Sequence, residues 1–182
     1  MDIKLTTPLT KEKVQGLKSG DKVLITGTIY TLRDAGHKKM IEQINNGDTL
    51  PINIKDNIIY YAGPSPAKPG QVIGSAGPTT SYRMDDYTPT LLDLGLKGMI
   101  GKGDRNEAVI QSMKKNTCVY FAAVGGAAAL IANTIKNCEV IAYEELGTES
   151  LKKLEVEDFP VIVVIDCNGN NLYKSERAKY RA

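Results

Sequence analysis

The chain has 182 residues, 42% hydrophobic and 24% charged, the makeup of a globular protein and not of a disordered or fibrous one. Its 23 Lys and Arg against 21 Asp and Glu leave a net charge of +2, too balanced for a general nucleic-acid binder yet compatible with a local basic cluster around a small anion. Three widely spaced cysteines (Cys118, Cys138, Cys167) and a single histidine, His37, argue against a complete iron–sulfur or structural zinc site within the chain, since such sites need about four soft ligands.

The first residues, MDIKLTTPLT, show no basic-then-apolar targeting pattern. No apolar run reaches the roughly 18 residues that span a bilayer, so a cytoplasmic protein is expected. Ile3 to Leu5 alternate like a short strand, and Thr10 is placed to cap a helical turn carrying Val14 and Leu17. Lys22 to Tyr30 is β-branched and aromatic and reads as a strand; Asp34 to Ile44 reads as a helix ended by the Asn45-Asn46-Gly47-Asp48 turn. Ile58 onward is a strand running into a proline-rich loop, Pro64 to Gly70, and Val72 to Ala76 reads as a second short strand. A helix is expected from about Met84 to Leu94, with Pro89 near a helix start or a kink. Leu96 to Ile100 (strand), Asn106 to Lys115 (helix) and Cys118 to Ala123 (strand) follow. Then come a small-residue helix at Ala128 to Ile135, strands at Glu139 to Tyr143 and Phe159 to Asp166, and a hairpin turn at Cys167 to Asn170 leading into Leu172-Tyr173. Only the tail from Lys174 looks dispensable for a core. Interleaved strands and helices make this an α/β chain with some parallel pairing, read as one domain over 1–182.

Three glycine-flanked segments concentrate polar groups. In Arg33-Asp34-Ala35-Gly36-His37, a helix start would put Arg33 and His37 one turn apart on the same side. Arg33 could then grip a carboxylate while His37 donates a hydrogen bond or moves a proton. The open alternative is a capped, solvated helix start. In Gly77-Pro78-Thr79-Thr80-Ser81-Tyr82-Arg83-Met84-Asp85, a turn followed by three hydroxyl groups and an arginine makes an anion cradle. A helix cap from Thr79, Thr80 or Ser81, with Arg83 paired to Asp85 or Asp86, is equally open. Gly101-Lys102-Gly103 offers a sterically free lysine or simply a turn, and lacks the arrangement of a P-loop. Gly125-Gly126-Ala127 is a possible rim of the same site or a tight helix–sheet contact.

Taken together, these segments resemble the beta subunit of the iron–sulfur class I fumarate hydratases and the related L(+)-tartrate dehydratases, whose single-chain members carry the same unit as a C-terminal domain. The resemblance rests on Arg33-Asp34-Ala35-Gly36-His37-Lys38 and on Gly77 to Asp85 followed by Tyr87-Thr88-Pro89. It continues through Leu94 to Gly103 and Tyr120 to Leu130, then through Glu144 to Gly147 and Phe159-Pro160-Val161. Gly36 and Tyr82 occupy positions where small residues such as alanine or glycine are often found, and the bulk of Tyr82 bears on substrate choice.

The resemblance implies an α/β swivelling β/β/α domain, with a mixed sheet flanked by helices. It implies a partner alpha subunit holding a [4Fe–4S] cluster on three cysteines, none of it bound by this chain, in a dimer or heterotetramer without membrane or nucleic-acid partners. The implied reaction is reversible hydration of fumarate to (S)-malate, a step of the tricarboxylic acid cycle, or else dehydration of L(+)-tartrate. Carried over from the family, Arg33, Arg83 and Lys102 bind the carboxylates of a small dicarboxylate beside Thr80. Thr79 is the base at C3 and His37 orients the substrate. A non-catalytic dicarboxylate-binding module remains the alternative from another class.

Overall fold

The computed structural model describes residues 2–123 and 128–180. Its elements are β1 (Ile3–Thr6), α1 (Lys11–Gln15), β2 (Lys22–Thr31), α2 (Asp34–Asn45), β3 (Ile58–Tyr60) and α3 (Thr88–Asp93). They continue with β4 (Gly98–Gly101), α4 (Glu107–Asn116), β5 (Val119–Ala123), α5 (Ala128–Thr134), β6 (Ile135–Ala142), β7 (Leu151–Ile165) and α6 (Leu172–Lys179). No helix of the described residues is long and apolar enough to cross a membrane.

The strands form one mixed sheet of order β1-β2-β3-β4-β5-β7-β6, and β2 also pairs with β7. β2 runs parallel to β1 on one half of its edge and to β3 on the other, and β3, β4 and β5 continue in parallel. β7 is antiparallel to β5, β6 and β2, from Lys22 opposite Ile162 to Thr31 opposite Lys152. The pairings β2–β3–β4–β5–β7–β2 therefore close on themselves. Only β1 and β6 lie outside that ring.

Alternation along the ring strands produces two cores. Ile25, Ile29, Ile58, Tyr60, Val119, Phe121, Leu154, Phe159 and Val161 point to the inner one. Ile59, Tyr61, Met99, Tyr120 and Val164 point outward, where Met40 of α2, Leu91 and Leu92 of α3 and Met113 of α4 cover them. A mixed sheet flanked by helices in this way is the swivelling β/β/α arrangement.

The expected Thr10 cap holds: its hydroxyl accepts from Lys13 N at the start of α1. The structure adds a second cap, Asn106, which accepts from Val109 N at 2.9 Å at the start of α4. Other expectations are corrected. Val72 to Ala76 is no strand: the segment folds back on Ser65, whose carbonyl accepts from Gly74 N and whose amide donates to Ser75 O, so its backbone bonds are spent outside the sheet. The helix expected from Met84 to Leu94 is broken. A 3-10 turn at Ser81–Met84 stops short of α3, where Pro89 fits the first turn because it has no N–H to lose.

β7 begins at Leu151, eight residues before the Phe159 expected from sequence. Its charges disguise a regular alternation: Leu154 and Val156 face the core while Lys153 and Glu155 lie half-exposed on the other side. The turn after β7 forms as expected, with Asp166 Oδ1 accepting from Asn168 N and Asn170 N, but it leads into helix α6 instead of a returning strand.

Candidate functional site

The parallel strands all end on one side of the sheet, and the candidate residues follow those ends, which is where α/β sheets ordinarily bind ligands. Arg33 follows β2 as the residue flanking the start of α2. The loop after β3 returns so that Thr79 N donates to Tyr61 O at 2.7 Å. Thr80 then bridges Lys102, just beyond β4, in parallel fashion, and Ser81 N donates to Lys102 O at 2.9 Å. Thr79, Thr80 and Lys102 are thus brought together, and Arg83 lies on the adjoining 3-10 turn. Arg83 and Lys102 are exposed, and among the described residues neither has an ion-pair partner.

The Arg33 side chain packs against Gly63: a Cβ there would stand 2.8 Å from Arg33 Cδ and 3.1 Å from Thr148 O. Arg33 Nε lies 3.9 Å from both Asp34 Oδ1 and Glu149 Oε1, beyond hydrogen-bond reach. The residues on either side of Glu149 are tied to Lys152, a buried lysine whose amine donates to Thr148 O at 3.3 Å and to Ser150 Oγ at 2.7 Å.

His37 is not at the surface. Its ring is fully buried, 5.4 Å from Tyr61 edge-on and 6.1 Å from Tyr87 in a stack. Nδ1 lies 2.9 Å from Arg33 O, and since a carbonyl only accepts, Nδ1 carries the proton and Nε2 the lone pair. Burial is the main reason its pKa falls to about 4; the bond to Arg33 O pulls upward, and the Arg105 charge adds to the fall. Among the described residues, Thr31 Oγ1, Arg33 Nε, Asp34 Oδ1 and His37 Nε2 are buried without a hydrogen-bond partner, all within the β2–α2 junction.

Sequence reasoning missed Arg105. Its side chain is 0% exposed, and Nε donates to Asp85 Oδ1 at 2.6 Å. Nη2 donates to Thr88 Oγ1 at 2.9 Å and Tyr61 Oη at 3.2 Å, while the guanidinium lies 5.2 and 5.0 Å from the Tyr61 and Tyr120 ring centroids. Asp85 therefore pairs with Arg105 and not with Arg83, and no hydroxyl of Thr80 caps the turn that follows. Beside this pair the Ser81 hydroxyl donates to Tyr120 Oη, which donates to Gly103 O, both at 2.7 Å. Nothing in either segment alone signals the pairing, because its partners are 20 residues apart.

The possible rim at Gly125-Gly126-Ala127 lies outside the described residues. Cys118 is buried and bonded to Leu96 O, and its thiol pKa is pushed up to about 12, mainly by that burial. Among the described residues no group of three His, Cys, Asp or Glu is placed to hold a metal ion.

The family described as Fumarase C-terminus matches residues 1–176. The chain belongs to this family. It is 37% identical over 180 residues to Fumarate hydratase 2 of Leishmania major, covering 98% of this chain and 32% of that protein. With Fumarate hydratase class I, aerobic, of Escherichia coli strain K12 it shares 42% over 155 residues, 84% of this chain and 28% of that one. With the Putative L(+)-tartrate dehydratase subunit beta of Methanocaldococcus jannaschii it shares 40% over 177 residues, 94% of this chain and 91% of that one. The chain spans about a third of the length of the fumarate hydratases it matches. The resemblance drawn from the glycine-flanked segments is thus a property of nearly the whole chain: it is a beta-type, C-terminal unit of the fumarate hydratase and tartrate dehydratase family.

Proposed function

We propose that this chain is the beta part of a two-subunit iron–sulfur hydro-lyase that interconverts fumarate and (S)-malate, and that it supplies the grip on the dicarboxylate and the base at C3. The observation that carries this reading is the convergence of Thr79, Thr80 and Lys102 at the ends of β3 and β4, with Arg33 at the neighbouring end of β2. Arg33, Arg83 and Lys102 are three cations for a substrate with two carboxylates. Removing the C3 proton of malate pushes charge into the adjacent carboxylate, and cations fixed beforehand around it lower the barrier. Thr79 takes that proton. Its hydroxyl is a very weak acid, so the surrounding positive charge is what would make it serve. His37, sealed from the surface and bonded to the Arg33 carbonyl, acts on substrate through Arg33.

The iron–sulfur cluster is expected on an alpha subunit, in a heterotetramer with two copies of each chain. The reading is tested by assembling the chain anaerobically with that subunit and following fumarate absorbance. Turnover lost in Thr79→Ala and Arg83→Ala, with an unchanged thermal midpoint, supports it; parental turnover in both overturns it. A second reading, L(+)-tartrate dehydratase, is favoured by the 40% identity to the Methanocaldococcus protein so described. A complex that dehydrates tartrate and ignores fumarate decides for it. Tight malate binding by the isolated chain in calorimetry would favour a dicarboxylate-binding module instead.

A further inference from the structure

The segments carrying Thr79 and Lys102 meet through a single backbone bridge on the surface, but a larger contact lies beneath it. Arg105 belongs to the turn that presents Lys102, and Asp85 ends the turn that presents Arg83. The Asp85 carboxylate grips the Lys102 side twice, taking Arg105 Nε at 2.6 Å and Asn106 N at 2.9 Å. The same guanidinium reaches Tyr61, whose carbonyl holds Thr79 N, and Thr88 at the start of α3. One buried cation thus touches the end of β3, the 3-10 turn, α3 and its own turn.

We propose that Arg105, clasped by Asp85, is a positioning residue for the reaction, holding the Thr79–Arg83 segment at a set spacing from Lys102. The inference rests on the hydro-lyase reading above. Stability alone does not account for the pair, because a buried ion pair replaced by well-packed apolar groups is often neutral or stabilising. Directionality does account for it. A planar fork bonds Asp85, Tyr61 and Thr88 at once while lying over two tyrosine rings, and an ammonium group cannot match that geometry. Orientation is also what catalysis is sensitive to, since a displacement of about 1 Å can cost about a hundredfold in rate.

The test uses the assembled, cluster-loaded enzyme carrying Arg105→Lys, Asp85→Asn or both. Arg105→Lys is expected to lower kcat/KM by about tenfold or more. Both kcat and KM should move, because base and carboxylate grips shift together, and the double variant should lose less than the two single losses combined. Backbone hydrogen exchange should rise at residues 79–85 and 101–105 and stay parental in β2 and β7. Folded Arg105→Lys with kcat and KM within about twofold of the parent overturns the proposal, whatever its thermal midpoint. If Arg105→Lys fails to fold, Tyr61→Phe and Thr88→Val each remove one partner of the guanidinium. A smaller fall of the same kind in both supports the proposal, and parental kinetics in both overturns it. Should the unmodified complex turn over neither malate, fumarate nor tartrate, the functional reading fails. The exchange measurement then decides the clamp: a local rise supports it, a uniform change or none overturns it.

Discussion

Because the His37 imidazole is sealed against Tyr61 and Tyr87 with its Nδ1 proton committed to the Arg33 carbonyl, a second proton must be accepted in a dry interior beside the Arg105 charge. The folded pKa of about 4 lies below the ordinary value of 6.5, so the unfolded chain takes up the proton first as pH falls. This residue therefore costs no stability above pH 6.5 and destabilises the fold progressively from there down to about 4. The slope approaches about 1.4 kcal/mol per pH unit between those limits. His37→Asn keeps a donor for Arg33 O but cannot titrate. Urea midpoints at about pH 5 and about pH 7.5 should differ less in that variant than in the parent.

On Gly101, a Cβ would overlap the Ser81 hydroxyl and stand 2.8 Å from Tyr61 Cδ2. Gly101→Ala should destabilise by about 1–3 kcal/mol in a denaturant titration and displace Ser81 from Tyr120. Arg33, Thr79 and Lys102 stood out in the sequence as polar residues near glycines, although the strand expected just before Thr79 does not form. Arg105 did not stand out, because its role comes from Asp85 and Tyr61, which only folding brings near. His37 was legible as a residue of interest, but its burial was not, since that depends on rings from the end of β3 and the turn before α3.

Among the elements, the loop from Pro64 to Pro78 decides where Thr79 arrives. Its tether to the inner core is the Tyr60 hydroxyl, which donates to Ala76 O. Tyr60→Phe should cost about 1 kcal/mol of stability and raise hydrogen exchange through residues 72–80, leaving α4 unaffected. α4 in turn depends on the Asn106 cap, and Asn106→Ala should lower stability by about 1 kcal/mol in the same titration. Most elements were legible from local pattern: β2 from its β-branched run, α1 from the Thr10 cap and Val14. The first half of β7 was not, because Lys152, Lys153, Glu155 and Glu157 look like a loop until β2 and β6 are seen on either side. Val72 to Ala76 failed in the other direction. Its apolar residues suggested a strand, but no neighbouring strand edge is there to receive it, and Val72 is left half-exposed.

For the molecule as a whole, the helices α2, α3 and α4 cover one face of the sheet, and on the proposed function the strand ends bearing Thr79, Lys102 and Arg33 meet the partner subunit. On the proposed function the isolated chain is expected to show no fumarate hydration and only weak malate binding. Both should appear together when the cluster-bearing subunit is added, as followed by absorbance and calorimetry.

The closed ring has a consequence for how the chain acquires its structure during synthesis. β2 is made well before its partner β7, and pairs such as Lys22 with Ile162 join residues far apart in sequence. A ribosome-bound nascent chain can form α2, β3 and β4 in order, yet the seam stays unzipped until β7 has left the exit tunnel. Until then β2 and β5 each present an unsatisfied edge, the kind of surface that invites chaperones and mispairing. Contacts so distant in sequence also make for slow folding. A chain truncated after Glu149 should remain protease-sensitive throughout, and one released after Asn171 should gain resistance in a single step.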